Sequence, residues 1–303
     1  MQAPAADQWT VRRILEWTTA HLAQHGSDSP RLDAEILLAH ARGCRRIDLY
    51  TRFDEVLTDA QRATMRNLVR RRAKAEPVAY LVGHREFYGL DFRVTPDVFI
   101  PRPDTETLVM ELIRAAKEVS EGEPRILDVG TGSGCIAIAA AVNCPRAQIT
   151  AIEQSPAALA IARENAAKHG VAERIRFLEG RLFGPLEPGE TFHCIASNPP
   201  YVPESERETI QPDVRLHEPH AALFSGPDGL DAIRQLVAEA PSHFEPGGRL
   251  MFEIAPEQEP AVRALLESTG RYAEMAPLRD LPGKIRVVRA RYTPVTGGPS
   301  KSP

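Results

Sequence analysis

Two short motifs combine residue types that could take part in chemistry. DVGTGSG, at 128–134, follows an apolar run and has glycine at alternate positions. NPPY, at 198–201, follows a second apolar run and combines an amide, two prolines and a phenol. Because ligands of open α/β sheets bind where strands end in such loops, we expect both motifs at one site.

The glycine motif has the features of a cofactor-binding loop. Glycine lets the backbone approach a ligand, and a helix that begins near Cys135 would offer free N–H groups. The GxGxG spacing differs from the GxGxxG fingerprint of dinucleotide sites, and Asp128 can accept hydrogen bonds from an ammonium group. S-adenosylmethionine carries such a group. The predicted cofactor contacts are Asp128, Gly130, Thr131, Gly132, Ser133 and Gly134.

Two later strand ends should complete the cofactor site. Glu153 lies where a carboxylate can accept hydrogen bonds from both ribose hydroxyls. After the next strand, Arg181 cannot accept from the adenine amino group, so that contact would come from backbone or from Glu179. Leu182 or Phe183 could pack on the adenine ring, and we include Leu182 in the predicted site.

The NPPY motif predicts a site for a planar amino group. Two prolines fix the backbone, so the side-chain oxygen of Asn198 and the carbonyl oxygen of Pro199 can face one point as acceptors. Tyr201 offers an aromatic face for the flat group. We predict Asn198, Pro199 and Tyr201 as catalytic, Pro200 as a further substrate contact, and Asn198 as a cofactor contact too. The reaction would be methyl transfer to an amide or amine nitrogen.

Apolar runs alternate with amphipathic segments from about residue 98. Such alternation predicts a parallel sheet with helices on both faces. Strands are predicted at 125–129, 148–153, 175–178, 192–197, 249–254 and 285–292, and helices near 104–118, 134–142, 156–169, 229–240 and 257–269.

The first 84 residues have the pattern of short helices. Ser29 before a proline predicts an N-cap, and Gly43 a C-terminal cap. Thr58 with Gln61 forms a predicted capping box. Alternation across 85–94 predicts a hairpin that turns at a glycine. The predicted division is a helical substrate-recognition domain at 1–84, a hairpin linker at 85–97, a methyltransferase domain at 98–292 and a disordered tail at 293–303.

Composition narrows the class of protein. The chain has 303 residues, of which 43% are hydrophobic and 26% charged, as in soluble globular proteins. It has neither a long uninterrupted apolar run nor a leader pattern, so we expect a cytoplasmic protein and no membrane segment. The four cysteines lack metal-ligand spacing, which predicts reduced thiols and no metal. Residues 1–85 carry a net charge of +4 and the remainder −8.

At these motifs the chain resembles the NPPY amino-methyltransferases, and within them the release-factor glutamine methyltransferases. The resemblance extends over nearly the whole chain. Its further motifs are EPVAYLVGHREF at 76–87, IPRPDTE at 100–106, EP at 218–219 and RDLPG at 279–283.

The resemblance implies a small helical N-terminal domain followed by a Rossmann-like class I methyltransferase sheet, mostly parallel with an antiparallel last strand. It implies N5 methylation of the glutamine in the Gly-Gly-Gln motif of bacterial peptide chain release factors. Asn198 and Pro199 would hold that amide, with Tyr201 and Phe99 as walls of the pocket. We expect a monomer whose partner is the release factor, without direct nucleic-acid binding.

The chain departs from the family pattern at two places, and other functions stay open. Glu153 stands where an Asp is usual, and Arg181-Leu182 replaces an acidic-aromatic pair. A ribosomal-protein glutamine methyltransferase is the nearest alternative, although the run at 101–106 argues against it. A DNA adenine methyltransferase would need a phosphate-binding surface, which a charge of −8 disfavours. A non-catalytic adaptor is the third alternative.

Overall fold

The structure, a computed structural model, describes residues 8–294 and divides into two compact units. The first unit contains the chain up to His84 together with Ile210–His217. The second contains Arg85–Thr209 and the chain from Glu218 onward. Within the described residues, no helix is both long enough and apolar enough to cross a membrane.

The elements follow the predicted order of helices, hairpin and alternating strands and helices. The helices are α1 Val11–Gln24, α2 Pro30–Arg42, α3 Arg46–Tyr50, α4 Asp59–Arg72, α5 Val78–Val82, α6 Glu106–Lys117, α7 Cys135–Asn143, α8 Pro156–Lys168, α9 Pro212–His217, α10 Asp231–Glu239 and α11 Glu259–Ser268. The strands are β1 His84–Phe87, β2 Leu90–Arg93, β3 Arg125–Val129, β4 Gln148–Glu153, β5 Ile175–Glu179, β6 Phe192–Ser197, β7 Phe244–Glu253, β8 Tyr272–Arg279 and β9 Ile285–Tyr292. Of the predicted tail, everything from residue 295 lies outside the described residues.

The caps of the first unit were largely predictable from local sequence. Gly43 ends α2 in the left-handed conformation, with φ 63°. Thr58 and Gln61 exchange both capping-box hydrogen bonds at the start of α4, so that prediction is confirmed. Ser29 is the N-cap residue of α2, as predicted, but its side chain makes no cap hydrogen bond, because ψ of 56° takes this residue out of the extended region that a capping side chain needs.

A segment that the sequence assigned to the methyltransferase domain belongs to the first unit instead. Ile210–His217, which includes α9, makes polar contacts with other residues of the first unit. Gln211 Nε2 donates to Asp28 Oδ2 at 2.9 Å, and Asp213 forms an ion pair with Arg72 at 3.8 Å. The chain therefore leaves the second unit after Thr209 and returns to it at Glu218.

The second unit contains a seven-stranded sheet in the order β5-β4-β3-β6-β7-β9-β8. β9 runs antiparallel to both neighbours, as the family resemblance implied, and the paired strands from β5 to β7 are parallel. Edge strand β8 was not predicted. Its alternation is broken by a bulge, by Pro277 and by Glu274, whose φ is 50°. Proline is tolerated there because an edge strand has N–H groups without sheet partners.

Helices cover both faces of this sheet. Consecutive residues of β3 point to opposite sides, so Ile126 belongs to one apolar core and Leu127 to the other. Residues of α6, α7 and α8 fill the first core, whereas Ile233 of α10 and Val262 of α11 fill the second. Burial on both faces explains why the central strands are continuous apolar runs.

A buried amide, that of Asn165, is one of the contacts that hold the hairpin of β1 and β2 against the rest of the second unit. Its turn consists of Tyr88 and Gly89, both with positive φ, as in a tight two-residue turn. Asn165 of α8 accepts from Arg93 N at 2.8 Å and donates to Arg93 O and to Ser133 O. Asn165 thus links the hairpin to the glycine loop.

Asn165→Ala should lower the free energy of unfolding by roughly 2–4 kcal/mol, because it leaves the Arg93 N–H and two carbonyl groups without partners. Urea unfolding followed by circular dichroism measures the change. The matched control is Glu164→Ala, which removes only an exposed ion pair with Arg93 and should cost less than about 1 kcal/mol. Equal losses in the two variants would contradict this role.

Candidate functional site

A cavity of about 600 Å³ lies at the carboxyl edge of the parallel strands in the second unit. Strand register creates it, because Val129 pairs with Ile152 on one side and with Ser197 on the other. The loops that follow these strands therefore meet. Predicted site residues that line the cavity are Phe99, Gly130, Thr131, Gly132, Ser133, Glu153, Leu182, Asn198, Pro199 and Pro200.

Three predicted residues do not line this cavity: Asp128, Gly134 and Tyr201. Gly134 instead begins α7 with φ 84°, and a β-carbon there would lie 2.8 Å from Ile138 Cδ1. The residue is therefore needed for backbone conformation and helix packing. Each of the other two lies behind the surface of the cavity and acts through hydrogen bonds.

Asp128 is a fully buried carboxylate behind the glycine loop. Its Oδ2 accepts from the Thr131 hydroxyl at 2.6 Å and from Ala137 N at 3.2 Å. Its Oδ1 has no hydrogen-bond partner among residues 8–294. Burial raises the pKa of Asp128 to about 7, partly offset by the Thr131 and Ala137 donors. Asp128 Oδ1 can thus accept a hydrogen bond from a ligand or form an ion pair with a cation.

Glu153 holds the glycine loop from the neighbouring strand. Its Oε2 accepts from Gly132 N at 3.0 Å, and its Oε1 accepts from Ser155 N at 2.9 Å. Because a carboxylate oxygen has two acceptor positions, each of these oxygens can accept one further hydrogen bond. Glu153 also lines the cavity, so it can position the loop and contact a ligand at once.

The segment after β5 shows which of Leu182 and Phe183, the two candidates for packing on an adenine ring, reaches the cavity. Leu182, with φ 49°, lines the cavity, whereas Phe183 is buried and stacks on His243 with ring centroids 5.0 Å apart. Arg181 Nη2 donates to Gln235 Oε1 at 2.7 Å, and both residues line the cavity. Gln235 could not be paired with this segment from sequence, because 54 positions separate it from Arg181.

The Asn198 amide has a defined orientation. Its Nδ2 donates to Thr105 Oγ1 at 3.1 Å, and the Thr105 hydroxyl donates to Glu253 Oε2 at 2.6 Å. No hydrogen bond to Asn198 Oδ1 is found within 8–294, and Asn198 lines the cavity. Neither Thr105 nor Glu253 is among the site residues predicted from the sequence. The PRPDTE motif was the available signal for Thr105.

Tyr201 faces the protein interior and not the cavity. Its hydroxyl donates to Glu253 Oε1 at 2.9 Å, and its ring packs against the second apolar core. Burial, reinforced by the Glu253 carboxylate, raises the pKa of Tyr201 well above its usual value. The phenol therefore stays protonated, and no titration of Tyr201 is available for proton transfer.

The backbone after Asn198 is fixed by close packing. Gln258 Nε2 donates to the Tyr201 carbonyl oxygen at 2.9 Å. A β-carbon at Gly229, where φ is 76°, would lie 2.2 Å from that same oxygen. Glycine is thus required for close approach as well as for conformation. Val202 N, which donates to Leu223 O at 2.9 Å, ties the loop to the following segment.

Phe99 forms part of the cavity wall and is held from behind. The Arg102 guanidinium lies 4.8 Å from the centre of the Phe99 ring and forms an ion pair with buried Glu218. Glu218 Oε2 also accepts from Ile100 N at 3.2 Å. These contacts explain how two motifs that are distant in sequence, at 100–106 and 218–219, together support the cavity wall at Phe99.

Family models and curated relatives match most of the chain. Family models for the PrmC N-terminal domain and the methyltransferase small domain match residues 13–83 and 96–217. A release factor glutamine methyltransferase of Rhodopirellula baltica is 47% identical over 282 residues, which cover 92% of this chain and 95% of that protein. Its counterpart from Geobacter sulfurreducens is 46% identical over 283 residues, with 93% and 97% covered.

A solved structure supports the fold. The 16S rRNA N2 G1207 methyltransferase of Thermus thermophilus superposes with a TM-score of 0.51 at 18% identity, over 69% of this chain and 49% of that one. The predicted fold class is confirmed by the mostly parallel seven-stranded sheet and the helical first unit. By the identity and coverage of its relatives, the chain belongs to the release factor glutamine methyltransferase family, and it is a methyltransferase.

Proposed function

We propose that the chain transfers the methyl group of S-adenosylmethionine to the side-chain amide nitrogen, N5, of the glutamine in the Gly-Gly-Gln motif of bacterial release factors. The observation that carries the proposal is the orientation of Asn198 beside the glycine loop. The family relatives, named as release factor glutamine methyltransferases, supply the substrate class.

The residues around the glycine loop fit S-adenosylmethionine. The unpartnered Oδ1 of Asp128 provides negative charge behind the loop, which suits the cationic aminoacyl end. Glu153 has acceptor capacity for ribose hydroxyls, and Leu182 offers an apolar surface for the adenine ring. Gln235 at the same end has its oxygen committed to Arg181, so its amide nitrogen can donate to the base.

The NPPY segment fits a planar amide. The Asn198 amide nitrogen donates to Thr105, so Asn198 Oδ1 can serve as an acceptor for the substrate. The backbone carbonyl oxygen of Pro199 is a second acceptor. A carboxamide NH₂ has two donors, which match two acceptors. Phe99 lines the cavity and can pack against the flat group.

The site lowers the barrier by electrostatics and alignment. The bound cofactor supplies an electrophilic methyl group. Asn198 and Pro199 hold the amide nitrogen in line and stabilise the positive charge that develops on it, most strongly in the transition state. Tyr201 supports the loop from the interior through Glu253. We assign no general base, because a proton can leave the nitrogen after its methylation.

The helical unit at 1–84 is proposed to recognise the release factor, with its net charge of +3 as one contribution. We propose that the enzyme acts as a monomer in the cytoplasm, where its substrate functions, without direct contact with nucleic acid. A ribosomal-protein substrate is the second candidate. Pro101 and Thr105, from the run that distinguishes these branches, both line the cavity, which favours the release factor.

Labelled S-adenosylmethionine offered with a release factor, a ribosomal protein or DNA tests the substrate class. Label should appear on the release factor and should be lost when the Gly-Gly-Gln glutamine is replaced. Label on DNA, or label that persists after this replacement, would contradict the proposal.

Asn198→Ala should reduce kcat/KM for the release factor by about 10²–10³-fold, because it removes an acceptor that stabilises developing charge. Initial rates of label transfer measure the loss. Asn143→Ala is the matched control, since Asn143 is exposed at the end of α7 and its side chain bonds only to Ala139 O. An Asn198→Ala enzyme that methylates at the full rate would contradict the proposed role of Asn198.

Cofactor affinity should depend on the ionisation of Asp128. With a pKa of about 7, this group carries little charge below pH 6, so it must release a proton to stabilise a bound cation. Titration calorimetry should therefore show Kd for S-adenosylmethionine rising as pH falls from 7.5 to 5.5, toward about tenfold per pH unit. Asp128→Asn should bind more weakly at pH 7.5 and lack this dependence. An unchanged slope in that variant would show that another group is responsible.

A further inference from the structure

We infer that Glu253 is a positioning residue for methyl transfer: through the Thr105 hydroxyl it fixes the Asn198 amide with its oxygen toward the substrate. The inference rests on the proposed function, because it deepens the role of Asn198. Neither Glu253 nor Thr105 touches the transferred methyl group in this account. Both act through another residue.

Geometry places the three groups in one chain of hydrogen bonds. Glu253 ends β7 and is 1% exposed, while Thr105 precedes α6 and is 2% exposed. Thr105 is the N-cap residue of α6, but its side chain makes no cap hydrogen bond there. Its hydroxyl instead lies between Glu253 Oε2, at 2.6 Å, and Asn198 Nδ2, at 3.1 Å.

The direction of these bonds follows from the inventory of protons. An ionised carboxylate can only accept, so with Glu253 in this form the single Thr105 proton goes to Glu253. The Thr105 oxygen can then only accept, and the Asn198 amide must turn its NH₂ group toward it. If the Asn198 amide were flipped, its Oδ1 would face the Thr105 oxygen, whose only proton is already donated to Glu253. The reversed orientation is thus disfavoured before substrate arrives.

The burial of Glu253 indicates that this carboxylate has a purpose beyond packing. Desolvation raises the pKa of Glu253, the Thr105 and Tyr201 donors lower it, and nearby Asp104 and Arg286 act in opposite directions. A buried charge is costly unless hydrogen bonds compensate it. Here each carboxylate oxygen accepts from a different residue, Thr105 or Tyr201.

One carboxylate therefore connects the first and last residues of the NPPY motif. Asn198 is reached through Thr105, and the Tyr201 hydroxyl is bound directly. Because Glu253 lies on a central strand and pairs with Val287 of β9, its backbone is fixed by the sheet. The orientation of Asn198 is thus tied, through Thr105 and Glu253, to an inner strand of the sheet.

Thr105→Val, compared with Thr105→Ser, tests the relay. The valine variant keeps the shape and loses the hydroxyl, so kcat for release-factor methylation should fall 10–100-fold while Kd for S-adenosylmethionine stays within twofold. Serine restores a hydroxyl and should recover most of the rate. Thr107→Val is the matched control for a buried threonine, because Thr107 is 9% exposed and does not line the cavity.

A double-mutant cycle separates orientation from structure. In an Asn198→Ala background, Thr105→Val should change kcat less than twofold, since no amide is left to orient. Glu253→Gln should also lower kcat, because its amide can donate to Thr105 and free the hydroxyl to hold a flipped Asn198.

The outcomes distinguish this inference from the proposed function. Additive losses from Thr105→Val and Asn198→Ala, or equal losses in the valine and serine variants, would overturn the relay even though the release factor is methylated. A wild-type enzyme that methylates another substrate would overturn the proposed function instead. The same cycle would then be measured on that substrate, so the relay would still be tested.

Discussion

The register of the parallel strands is the constraint on which the site depends. Val129 pairs with Ile152 and Ser197, and Ser197 pairs with Phe252, so four strands end side by side. Residues far apart in the sequence are thereby brought to one edge. A slip of one residue in any pairing would move every side chain of that strand to the opposite face. The apolar cores on both faces exclude such a slip, because each requires its own alternate residues.

The two buried carboxylates at this edge of the sheet cost folding free energy, and each has a proposed role in the site. Asp128 and Glu253 are both almost fully buried, and burial disfavours their charged forms. Glu253 has a donor on each oxygen, whereas one oxygen of Asp128 has none within the described part of the chain. The difference corresponds to their proposed roles. Glu253 holds a preformed arrangement of side chains, and Asp128 gains its counter-charge only when the cofactor binds.

Local features of the fold and the site were predictable from the sequence, and long-range ones were not. The glycine loop, the NPPY loop and the capping box at Thr58 each depend on neighbouring residues, so their sequence patterns carried the information. The partnership of Thr105 with Glu253 spans 148 positions and follows no local pattern. Tyr201 was expected to wall the pocket, but its hydroxyl is drawn inward by Glu253. The structure was needed wherever tertiary hydrogen bonds decide where a polar group points.

The account's central claim is that Asn198 and Pro199 present two acceptors to a substrate amide. A crystal structure of the enzyme with a release factor and S-adenosylhomocysteine would test it most directly. We expect Asn198 Oδ1 and the Pro199 carbonyl oxygen to lie within about 3.2 Å of the amide nitrogen of the Gly-Gly-Gln glutamine. An Asn198 that presents its NH₂ group to the substrate, or a glutamine bound away from Asn198, would contradict the account.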